Sequence, residues 1–156
     1  MEQAIWRQLE FVRAQTLKLA RTLPEEKVRV IPEGFRNHML WNLGHLALVM
    51  DKYAFSFTGR IPELPAIYQE LFANGTTPLE WTSESPSLKD ILAVLEAQPE
   101  RVRTVLSGRL DDPIEPYSTS SGYRIETVGQ LINFTTYHEG MHFSIIKLYN
   151  KLIQGS

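Results

Sequence analysis

Residues 127–153 read TVGQLINFTTYHEGMHFSIIKLYNKLI. The stretch opens on a capping box, Thr127 with Gln130 three positions on, whose side chains can satisfy the free N–H groups of a first helical turn. Leu131, Thr135, His138, His142, Ile145, Tyr149 and Leu152 then follow in steps of three and four. That spacing places them on one face of a helix, turned towards a core. A helix this long with one apolar face needs other helices to cover it.

Working outward from this stretch, the prolines separate three further ones. Of nine, eight fall in connecting intervals: Pro24 and Pro32; Pro62, Pro65, Pro78 and Pro86; Pro113 and Pro116. Proline lacks an N–H and clashes with the preceding turn, so these intervals read as connections. Between them, about 2–23 carries Ile5, Leu9, Val12, Leu19 and Leu23 at helical spacing, and about 36–58 carries Leu40, Trp41, Leu48 and Phe55. The third stretch starts at the capping box Ser87–Asp90 and runs through Ile91, Leu95, Val102 and Leu106. Pro99 inside it should kink the helix rather than end it, since the apolar rhythm resumes. No alternation long enough for a strand is visible. A short helix is expected near 64–73, ended by Asn74-Gly75, and residues 117–123 read as a surface loop, with folding over a site as the other outcome.

These features predict an all-α fold, a four-helix bundle formed by residues 1–156 as one domain. The long connection between the second and third long helices can cross the bundle, so the expected order is up-down-down-up.

The composition narrows the chemistry. The chain has 156 residues, 43% hydrophobic and 22% charged, with a net charge of −2. This balance offers no reason to expect a nucleic-acid or anionic-membrane partner; Arg101, Arg103 and Arg109 read as a solvated helix face. No leader or spanning segment is visible, and the expectation is a cytoplasmic protein. There is no cysteine. Disulfides, cysteine-based metal sites and a protein thiol nucleophile are therefore excluded, and a metal site must use histidine or carboxylate ligands.

Four histidines are present: His38, His45, His138 and His142. His138 and His142 stand one turn apart on the inward face of the last helix, and His45 lies mid-way along the second long helix. Buried imidazoles each need a partner, and a shared divalent cation satisfies all three at once. Gly44 and Gly140 sit beside these residues. Glycine within a helix costs about 1 kcal/mol against alanine, which points to close packing or room for a substrate.

His138-Glu139-Gly140-Met141-His142 also matches H-E-x-x-H, the zincin signature. Only fourteen residues follow His142, and none is His, Asp or Glu. A third ligand must come from upstream, where His45 is best placed, so a zincin is not expected. His38, seven residues before His45, is about 10 Å away along the helix. That is too far for a fourth ligand, and it reads as a pocket-mouth residue or a helix cap. Trp41 reads as core or as a pocket wall. Glu139, turned about 100° from His138, is the candidate catalytic base, with a structural role equally open.

Asn42-Leu43-Gly44-His45, the 92-residue gap that follows, and His138-Glu139-x-x-His142 together resemble the DinB-like (YfiT-like) superfamily of small metal-binding bundles. The resemblance spans essentially the whole chain. It departs where many members carry Gly-Gln two residues beyond the final histidine; here the sequence is Phe143-Ser144-Ile145. The resemblance implies a three-histidine site at His45, His138 and His142 for a divalent metal, nickel or zinc. It also implies chemistry on a small-molecule substrate: thiol S-transfer with a low-molecular-weight thiol cosubstrate, or hydrolysis. The competing expectation is a non-catalytic, metal-stabilised bundle that serves as an interaction or homodimerisation module.

Overall fold

The computed structural model describes residues 2–154. Helix α1 spans Glu2–Ala20, α2 Met39–Phe55, α3 Ala66–Phe72, α4 Leu88–Leu106 and α5 Val128–Gln154. Strands β1, Pro113–Ser118, and β2, Arg124–Thr127, form an antiparallel pair between α4 and α5. The protein is mostly helical, as expected, and none of the described helices is long and apolar enough to cross a membrane.

The helix ends follow local chemistry. At α4, Ser87 Oγ accepts from Asp90 N–H and Asp90 accepts from Ser87 N–H, a closed capping box. At α5, Thr127 N–H donates to Gln130 Oε1 and Gln130 N–H donates to Thr127 Oγ1. At α2 the cap is His38, whose Nδ1 accepts from Trp41 N–H at 2.9 Å. Helix α4 runs through Pro99 without a break.

The strand pair corrects the sequence expectation of a plain loop. Its register is irregular: Pro113 pairs with Thr127, but Tyr117 pairs with Ile125, so β1 uses four steps where β2 uses two. That irregularity erases the period-two pattern by which a strand is recognised. Two prolines in β1 disguise it further, although a two-stranded ribbon tolerates them at its open edge.

Helices α1 and α2 each pack against both α4 and α5. One apolar cluster gathers Leu17, Ala20, Leu40, Leu43, Leu95, Ile146 and Tyr149; a second gathers Trp6, Leu9, Phe55, Val102, Leu106 and Ile132. Along three of the helices a buried polar residue separates the two clusters: Arg13 in α1, Gln98 in α4 and Glu139 in α5. They bond to one another. Arg13 grips both oxygens of Glu139 at 2.8 and 3.0 Å, and also donates to Gln98 Oε1 and Leu95 O. Gln98 Nε2 reaches Ala47 O on α2 at 2.7 Å. All four long helices are therefore tied together at mid-height, with the buried ions paired as a low-dielectric interior requires.

Candidate metal centre

The histidines meet beside this polar layer. Ligand nitrogens of His45, His138 and His142 all lie within 4.8 Å of one another. The Nε2 atoms of His45 and His138 are 3.3 Å apart. Two nitrogens bound tetrahedrally to one ion at about 2.0–2.1 Å would stand about 3.4 Å apart, so this pair already has the spacing of two ligands.

The surroundings set which nitrogen faces the centre. His45 Nδ1 is 2.7 Å from Phe72 O, a carbonyl at the end of α3 with no helical partner. A carbonyl only accepts, so Nδ1 carries the proton and Nε2 presents its lone pair. Gly44 makes this contact reachable: a Cβ there would stand 2.5 Å from the Phe72 ring. Likewise His142 Nδ1 is 2.7 Å from Asn42 Oδ1, while Asn42 Nδ2 donates to His38 O at 2.9 Å. Asn42 is thereby oriented, and His142 is held with Nε2 free. Such partners, fixing ring orientation through the remote nitrogen, are the usual support of metal-binding histidines.

Burial keeps the rings neutral. Desolvation lowers the pKa of His138 to about 4 and of His142 to about 3, the neighbouring imidazoles adding to the effect. His45 is also lowered by burial, against the opposing pull of Phe72 O. Three neutral imidazoles with convergent lone pairs form a donor set that fits a divalent ion without displacing any protons at neutral pH.

The other sequence candidates separate clearly. Trp41 lies flat against His45, with ring centroids 4.7 Å apart and planes 11° from parallel, and its Nε1 donates to Thr76. His38 is buried, caps α2 and meets Trp81 edge-on, so it stands away from the cavity mouth. Glu139 is buried against Arg13 with both oxygens engaged, and faces α1 rather than the imidazoles. Gly140 has open space where a Cβ would project, so packing does not explain it. Arg101 is not merely solvated; it bridges buried Asp51 and Glu63.

A cavity of about 390 Å³ opens beside His45 and His138. Its walls include Lys52 and Tyr53 from α2, Phe134 from α5, Tyr117 from β1, and Thr119 and Ser120 from the turn that joins the strands. The segment read as a surface loop therefore does lie over the site. Sequence reasoning missed Lys52 as a wall residue and the roles of Asn42 and Phe72. Asn42 was accessible in principle, since it precedes His45 by three and shares its face. No sequence signal marks the Phe72 carbonyl.

Residues 8–146 match the DinB superfamily. The chain belongs to that superfamily. A solved structure of a conserved protein from Enterococcus faecalis is similar over 100% of this chain and 98% of its own, with a TM-score of 0.67 and 14% identity. At that identity the likeness concerns the fold alone. No curated protein matches the sequence. For this DinB-superfamily chain, the reading of the site therefore rests on its own geometry.

Proposed function

We propose that this protein is a metal-dependent enzyme acting on a small molecule, with His45, His138 and His142 holding a divalent ion, zinc or nickel, beside the 390 Å³ cavity. The observation that carries this is the pinning of His45 and His142 through Nδ1, which leaves two Nε2 lone pairs converging with His138. Three protein ligands leave a coordination position for water or substrate, as catalytic sites do. An ion bound there supplies Lewis acidity and lowers the pKa of a coordinated water or thiol.

The chain's own groups provide the rest. Trp41 covers one face of His45 and keeps water from it. The Tyr53 hydroxyl points at the Tyr117 hydroxyl, 3.4 Å away. Tyr53 is the donor in this contact, and burial holds its phenol above its ordinary range. The Tyr117 hydroxyl, on the cavity wall, would then be free to donate a hydrogen bond to a bound substrate. This arrangement suits thiol transfer or hydrolysis. With no cysteine in the chain, a reacting thiol would have to be a cosubstrate.

We infer with it a four-helix bundle of up-down-down-up order. In support, the first part of α1 (Trp6) and of α5 (Ile132) share a core cluster with the last part of α2 (Phe55) and of α4 (Leu106).

Metal analysis of protein purified without an affinity tag tests the centre. We expect about one equivalent, lost in His45→Ala. Sub-stoichiometric metal that ignores this substitution overturns it. A screen of electrophiles with several low-molecular-weight thiols, with and without chelator, then separates transfer from hydrolysis. Full metal content with neither activity favours the non-catalytic module.

A further inference from the structure

Among the described residues, the cavity beside the histidines has one formally charged side chain on its wall, Lys52, and no carboxylate. Lys52 follows His45 by seven residues on α2, so the two leave the same face about 10 Å apart along the axis. The acids nearby are already committed. Asp51 accepts from the N–H groups of Glu63 and Leu64 and from Arg101, and Glu63 also pairs with Arg101. Among the described residues, Lys52 has no carboxylate partner. Its Nζ lies 6.0 Å from the Phe57 ring, which packs edge-on against Tyr117 at 5.0 Å. The ammonium is thus placed on the side of the cavity that the strand pair covers. The rest of the polar wall is uncharged: the hydroxyls of Tyr117, Thr119 and Ser120 and the amides of Gln69 and Asn74.

Lys52 is exposed, so its ammonium stands at the solvent-facing rim of the cavity, and among the described lining residues no anion opposes it. We propose that Lys52 is the anion-binding contact of this cavity, and that its substrates are small molecules carrying a carboxylate or sulfonate within about 10 Å of the atom presented to the histidines. The position of the reactive end rests on the metal-dependent reading above; the anionic end does not.

Calorimetric titration of the metal-loaded chain with mercaptohexanoate and mercaptohexanol, matched in length, tests this, and mercaptohexanesulfonate, of the same span, should share the acid's preference. The acid should bind about threefold more tightly than the alcohol, as an ion pair with an exposed lysine implies. The margin should shrink as salt is added. Lys52→Gln should abolish it at unchanged metal content, whereas Lys89→Gln, an equal change in net charge on α4, should leave it intact. Equal affinities in the parent chain, or a preference that survives Lys52→Gln, overturns the proposal. If the chain takes up no metal, the metal-dependent reading fails separately, and hexanoate and hexanol are titrated into the metal-free chain by NMR. Acid-selective binding lost in Lys52→Gln then upholds the Lys52 subsite, and its absence overturns it.

Discussion

Asn42 shows how much a single amide can set. Its Nδ2 is spent on His38 O, so its oxygen faces His142 and fixes that ring's tautomer. Asn42→Ala should lower metal affinity by about 10- to 100-fold, the usual cost of losing such a partner, in competition with a chromophoric chelator. The two helical glycines should respond in opposite directions. A Cβ at Gly140 meets nothing within 4 Å, so Gly140→Ala should raise stability by about 1 kcal/mol through helix propensity alone. A Cβ at Gly44 meets the Phe72 ring at 2.5 Å, so Gly44→Ala should cost about 1–3 kcal/mol and move the carbonyl that holds His45. Urea unfolding of both variants checks the signs. A destabilised Gly140→Ala would mean that the open space there serves something other than packing.

At the scale of elements, what matters is which pieces are brought to the same place. Helix α2 supplies His45 together with Asn42, which orients His142, and Trp41, which shields His45. Helix α3 is short, yet its buried C-terminal carbonyl, free of a helical partner, is the partner of His45. The strand pair carries Tyr117, Thr119 and Ser120 to the cavity. Helix α5 is locked in rotation by Glu139, whose ion pair with Arg13 faces α1 while His138 and His142 face α2. Glu139→Ala should therefore cost about 3–5 kcal/mol, because it leaves a buried guanidinium without its carboxylate. Denaturant titration measures this directly. A Glu139→Ala chain of unchanged stability would remove the structural role and restore Glu139 as a base.

For the whole molecule, the four histidines tie folding to pH. Burial lowers His38 and His138 to about 4 and His142 to about 3, and lowers His45 as well. In an unfolded chain each titrates near 6.5. As pH falls below about 6.5 the unfolded chain takes up protons that the folded chain refuses, so stability falls continuously towards pH 4. Above about 6.5 both states are neutral and the contribution is level. Metal-free protein should therefore show a urea midpoint that declines from pH 6.5 to 4 and is flat from 7 to 8. A midpoint independent of pH across the acid range would contradict the burial of the imidazoles.

Much of this is legible in the sequence, for identifiable reasons. Helical periodicity, proline and the Ser87 and Thr127 boxes are local signals, and local backbone energetics obey them. The grouping of His45, His138 and His142 followed from spacing on two helices and from the need to satisfy buried imidazoles. The strand pair was not legible, because its irregular register removes the alternation that would reveal it. Whether His38 capped a helix or lined a mouth, whether Glu139 faced the histidines or α1, and what Gly44 made room for all turned on the rotation of one helix against another. Sequence by itself determined the helical character, the absence of any protein thiol and the candidate histidine set. Only tertiary structure decided which nitrogen His45 and His142 present, through Phe72 O and Asn42 Oδ1, and that Lys52 carries the formal charge among the described residues of the cavity wall. Those outcomes depend on partners 27 and 100 residues away in sequence for the two rings, distances over which no local propensity carries information.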